Sequence, residues 1–112
     1  MENAIQQLIE VIKADYRMGF EGRDASKETA ARMIEEFENG ISVEEGRKYL
    51  KIVKTMGTQQ MVWGFVVKKD TNKFRAGDIL KAAGWNAPAT NKARGNIFDD
   101  TYQVRWTGPM YL

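Results

Sequence analysis

The spacing of apolar residues changes once along this chain, near Gly46, and no other feature constrains the fold as much. Ahead of that point Ile5, Leu8, Ile9, Ile12 and Tyr16 recur every three or four residues, the stripe of an amphipathic helix from Ala4 to Met18. Gly19 and Gly22 end it. A second helix is expected after Ser26, whose hydroxyl can accept from first-turn amides, with Glu28 favourable beside them. Ala30, Met33, Ile34 and Phe37 form its inner face, and Asn39-Gly40 is a stop signal. Two short helices with single stripes read as a helical hairpin.

Beyond Gly46 the helical period disappears. Arg47 to Thr55 alternates apolar and basic residues, and Met61 to Lys68 is rich in β-branched and aromatic ones, as strands require. Asp70-Thr71-Asn72-Lys73 reads as a turn, after which Phe74 resumes a strand. Asp78 to Ala83 fits a short strand or one helical turn. Gly84 to Gly95 reads as a long irregular loop. Asn96-Ile97-Phe98, a turn at Asp99-Asp100, and Thr101 to Trp106 suggest a closing hairpin. The sequence thus predicts an α+β fold, an N-terminal helical hairpin followed by a small, mostly antiparallel β-sheet. Its 112 residues suit a single domain, with 1–46 the helical part and 47–112 the β-rich, ligand-binding part.

The chain has no cysteine and no histidine. Zinc fingers, Cys nucleophiles, Ser-His-Asp triads and disulfides are therefore excluded, as is imidazole chemistry near neutral pH. Charge is divided unevenly. Residues 1–46 hold eleven acids and five bases, net −6, and residues 47–112 hold twelve bases and four acids, net +8. A basic half suits an anionic partner, and a solvated basic surface is the plainer reading. The opening Met1-Glu2-Asn3 has no secretory pattern, and no apolar run approaches the roughly 18–20 residues of a membrane span. A cytoplasmic protein, not a membrane one, is expected.

Carboxylates give no catalytic set. Glu35-Glu36-Glu38 and Glu44-Glu45 read as solvated helix acids, Asp99-Asp100 and Asp78 as turn residues, so neither catalytic nor metal-ligating residues are assigned. Lys81 to Phe98 (KAAGWNAPATNKARGNIF) differs, because loops of that length in small domains are often functional. It offers an aromatic plane in Trp85, amides in Asn86, Asn91 and Asn96, and cations in Lys92 and Arg94. Arg105 is a second-tier contact on the closing strand. Indole stacks a base, amides read polar edges and cations meet phosphate, which makes these the candidate ligand-binding residues. A structural reading, with Trp85 in the core and the Asn residues forming turns, fits the composition equally well.

In the order of two helices, a WGFVVKK strand, KFRAGDILKAAGW, PATNKARGNIF and a closing WTGPMYL, the chain resembles the phage-encoded Thoeris anti-defence protein 1 family. That resemblance implies a sponge and not an enzyme. It would sequester glycocyclic ADP-ribose, with cyclic di- or trinucleotides also bound, in the host cell cytoplasm and without a cofactor. It further implies a homo-oligomer, a dimer or an assembly of dimers. The family's pocket uses an aromatic residue ahead of the proline and an asparagine after Arg-Gly, here Trp85 and Asn96. Trp85 stands where the family commonly has Phe. Two other classes compete. A nucleic-acid-binding module would use Lys48, Lys51 and Lys54 with Lys68, Lys69, Lys73 and Arg75, although lysines three apart do not share a strand face. A phage protein inhibiting a host protein would use the acidic helices instead.

Overall fold

A computed structural model describes residues 2–19, 27–99, 102 and 104–109. Helices α1 (Glu2–Met18) and α2 (Lys27–Gly40) come first. Strands β1 (Ile41–Glu45), β2 (Tyr49–Met56), β3 (Gln59–Val67) and β4 (Ile79–Leu80) then form one sheet in that order, each neighbouring pair antiparallel. Two small ribbons complete the chain, β5 (Ala82–Gly84) with β6 (Ala87–Pro88) and β7 (Val104–Arg105) with β8 (Gly108–Pro109). The fold is α+β, a helical pair followed by a small antiparallel sheet. None of the described helices is long and apolar enough to cross a membrane.

Several boundaries differ from the sequence reading. The stretch assigned to the helical part already contains β1, because α2 ends at Gly40 and the next residue enters the sheet. The long loop is partly ordered as the β5–β6 ribbon. Phe74 does not resume a strand. Thr71 folds the chain back instead, its Oγ1 accepting from the amide of Phe74 at 2.9 Å, and the Phe74 ring is buried. Asn96 makes one isolated bridge to Asp78, and a hairpin closes the described chain through a turn at Trp106-Thr107; the turn expected at Asp99-Asp100 falls partly outside the described residues. Ser26, Asp100 and Thr101 lie outside the described residues.

The α1 stripe is buried as expected: Ile5, Leu8, Ile9, Ile12 and Tyr16 all face the core. Burying each such side chain is worth about 1.5–3 kcal/mol. In α2 only Phe37 is fully enclosed, while Met33 stays 40% exposed. The helices meet through aromatics. Tyr16 stacks on Phe37 with ring centroids 4.0 Å apart, and Trp106 presents its edge to both rings at 5.1 and 5.9 Å. Asp15 fixes Trp106 further by accepting from its backbone amide at 2.9 Å.

The sheet packs on both faces, and an irregularity in the β2–β3 ladder permits this. Ile52 pairs with Gly64 but Val53 pairs with Val62, so Trp63 is an extra residue on β3. Strict alternation would put Trp63 and Phe65 on one face. Instead Trp63 joins the helix-side core with Ile52, Val66 and Ile79, and Phe65 joins a second cluster with Val67, Phe74 and Leu80. The Trp63 indole donates to the carbonyl of Arg105 at 2.7 Å, tying the closing ribbon to the sheet. At Gly64 a Cβ would sit 2.9 Å from the Leu80 carbonyl oxygen and 3.2 Å from Pro109. Backbone on one side and a ring on the other leave no room for it.

Lys54 lies on the helix side of β2 and is 6% exposed. Its Nζ donates to the Trp106 carbonyl at 3.1 Å and lies 4.9 Å from that indole's centre. Desolvation lowers its pKa from the ordinary 10.5. Between the lowered value and 10.5 the unfolded chain binds more protons than the folded one, so this group's contribution to stability rises with pH there. Below that window the burial penalty is present in full. Urea unfolding followed from about pH 7 to pH 10 should show wild type gaining stability relative to Lys54→Met; parallel curves would refute the assignment. Gly64→Ala should cost about 1–3 kcal/mol by overpacking, read as a lower urea midpoint with an unchanged slope.

Candidate functional site

The residues that converge most clearly are those at the tip of the β5–β6 ribbon. Gly84 pairs with Ala87, so Trp85 and Asn86 form the turn between them and lie against the outer face of β2. Lys51 is the contact. Its ammonium sits 4.2 Å from the centre of the Trp85 indole, donates to Asn86 Oδ1 at 2.8 Å and stands 4.0 Å from Glu44. A cation over a ring contributes about 0.5–1 kcal/mol at an exposed site, enough to orient the indole without covering it. Trp85 remains 44% exposed, an unusual position for a side chain of its size.

Asn86 and Lys51 border a hollow of about 270 Å³ together with Arg47, Lys48, Tyr49 and Phe65. Glu44 and Glu45 also line it, and Glu45 is paired with Lys68 at 3.1 Å. The floor is aromatic, since Tyr49 meets Phe65 edge to face at 5.9 Å. A second hollow of about 370 Å³ adjoins it, sharing Arg47, Lys48 and Tyr49 and adding Lys69, Thr71, Lys73, Phe74 and Thr90. Lys54, grouped with Lys48 and Lys51 in the nucleic-acid reading, points to the opposite face and takes no part.

The remaining candidates go elsewhere. Asn91 and Lys92 are exposed on the segment after β6. Arg94 is 2% exposed, in a strand-like stretch whose amide donates to the Ile79 carbonyl at 2.7 Å. Arg105 is exposed on β7, where its carbonyl serves the Trp63 indole. Asn96 is buried at 4% exposure, and its amide is fully engaged. Nδ2 donates to the Ala76 carbonyl at 3.1 Å and to Asp78 Oδ1 at 2.9 Å, while Oδ1 accepts from the Phe98 amide at 2.9 Å. Asp78 in turn accepts from the Arg75 amide at 2.8 Å. Asn96 borders a hollow of about 260 Å³ with Arg75, Asp78, Asp99 and Tyr102, separate from the two basic ones.

Chemically, the Trp85 side of the molecule offers a stacking plane, an amide and several cations. Among the described residues no group of three or more acidic side chains comes together to hold a metal ion. The basic residues from Arg47 to Lys73 were visible as a charged texture, but nothing local in the sequence showed that Lys51 meets a loop thirty-five residues away.

Asn96→Ala leaves a carbonyl, a buried carboxylate and an amide short of partners. It should lower stability by about 2–3 kcal/mol in urea unfolding, whereas a residue serving only as a ligand contact would leave the midpoint unchanged.

No curated protein and no solved structure matches the chain. One family model does, over residues 1–111, and the chain belongs to that family, the family of unknown function DUF7717.

Proposed function

We propose that this chain is a phage anti-defence sponge that captures a cyclic nucleotide immune signal and holds it without cleaving it. The observation that supports the reading best is the half-open Trp85 indole, held by Lys51 and flanked by Asn86 at the edge of a basic hollow. A base stacks on the indole, the amide meets a polar edge, and cations beside it receive phosphate. The resemblance in PATNKARGNIF and WTGPMYL suggests the ligand class, glycocyclic ADP-ribose with cyclic di- or trinucleotides beside it. A protein that only sequesters needs no proton shuttle, so a chain without His or Cys loses nothing by it. The protein acts in the host cell cytoplasm as a homo-oligomer. Supporting self-association, β1 is the outer strand of its sheet and leaves Val43 37% exposed.

Calorimetric titration with glycocyclic ADP-ribose and with a cyclic dinucleotide tests this directly. Wild type should bind at least one of them, and heating should return it chemically intact. Trp85→Ala should weaken binding by about 1–3 kcal/mol while costing no more than about 1 kcal/mol of stability, the worth of the ring's contact with Lys51. A cleaved product after heating, or equal affinity in wild type and variant, would refute the proposal.

A further inference from the structure

The two basic hollows differ in charge balance although they share Arg47, Lys48 and Tyr49. In the first, Lys51 faces Glu44 at 4.0 Å and Lys68 is paired with Glu45 at 3.1 Å. Arg47, Lys48, the Tyr49 and Phe65 rings and the Asn86 amide complete its lining, so two carboxylates stand there against three cations. In the second, Arg47, Lys48, Lys69 and Lys73 line the space and no carboxylate does. Among the described residues, none of those cations is in an ion pair. Lys73 rests 5.7 Å from the Phe74 ring centre, and the Thr71 hydroxyl is occupied by its own turn. Like charges gathered on one wall repel one another, a cost that an anion entering among them relieves.

We infer that the second hollow is a phosphate subsite and that the ligand spans both hollows, its ring and sugar in the first and its phosphates in the second. This rests on the reading of Trp85 as a stacking platform and adds where the phosphates of that ligand sit. The first hollow, about 270 Å³, falls just below the range for ligand pockets, about 300–1,000 Å³, and the second, about 370 Å³, lies at its small end; joined they reach its middle. A nucleoside monophosphate brings a single phosphate, which Arg47 and Lys48 at the shared edge can meet, whereas Lys69 and Lys73 beyond them suit a ligand with two or more phosphate groups, as a cyclic dinucleotide or a nucleoside diphosphate ester has. The first hollow also has a use for Glu44 and Glu45, since carboxylates accept from ribose hydroxyls and from base amino groups.

The test compares Lys69→Gln/Lys73→Gln and Trp85→Ala with wild type, using 5′-AMP, cyclic di-AMP, pyrophosphate and oligothymidylate as probes at two salt concentrations. Lys69 and Lys73 are exposed, so the double variant should unfold like wild type. Cyclic di-AMP should bind wild type at least tenfold more tightly than 5′-AMP, and pyrophosphate should compete with it. The double variant should lose tenfold or more for cyclic di-AMP, with a shallower salt dependence and little change for 5′-AMP. Oligothymidylate binding that is also lost in the double variant would support the subsite and point to nucleic acid as the source of the phosphates. If Trp85→Ala loses binding while the double variant keeps it, the subsite is refuted and the stacking site stands. If wild type binds no probe, both fall.

Discussion

Strand β3 has to supply side chains to two cores, and the extra residue at Trp63 is what lets it do so. A strand without the irregularity presents one face to the helices and leaves the other to solvent. Here the parity of side chains reverses within three residues, from Trp63 inward on the helix side to Phe65 on the other. Phe65 then has Tyr49, Val67, Phe74 and Leu80 around it, which gives the second face a hydrophobic floor. Both basic hollows stand on that floor. Gly64 serves the same device, because β4 and the proline of β8 close over it at distances that no side chain would allow.

The second face also shows how a small chain can carry two basic hollows without a deep cleft. Its aromatic floor is assembled from short pieces, a turn at Thr71, a two-stranded ribbon and the start of β2. Each piece is too short to be stable alone, and each is held by contacts to the sheet. Lys51 illustrates the economy: one ammonium orients Trp85 and bonds Asn86. An anion arriving there would compete for the same cation and so would loosen the ribbon tip.

Most of the architecture was readable in the sequence because it depends on local periodicity. The α1 stripe and the β2–β3 pair lie where their apolar spacing puts them, since 3.6- and 2-residue periods each leave one consistent face. What escaped was set by distant partners. Ile41–Glu45 becomes a strand because β2 lies alongside it, although two adjacent acids after a helix look like its continuation. The β5–β6 ribbon has too few residues to show a period. At the candidate site the sequence offers the residue types but not their grouping. Trp85 and Asn86 stay together, whereas Asn96 is drawn away by Asp78, eighteen positions earlier in the chain. A buried asparagine and an exposed one have the same letter, and only the carboxylate beside it decides which it is.

The bond from the Trp106 amide to Asp15 joins residues ninety-one apart. It has a consequence during synthesis. At about 5–20 residues per second, α1 leaves the ribosome several seconds before the ring that caps it exists. Through that interval Tyr16 and Phe37 can stack on each other, but their third neighbour is still untranslated. The helical pair is therefore born with an open apolar flank, which closes only once Trp106 has been made and has left the ribosome.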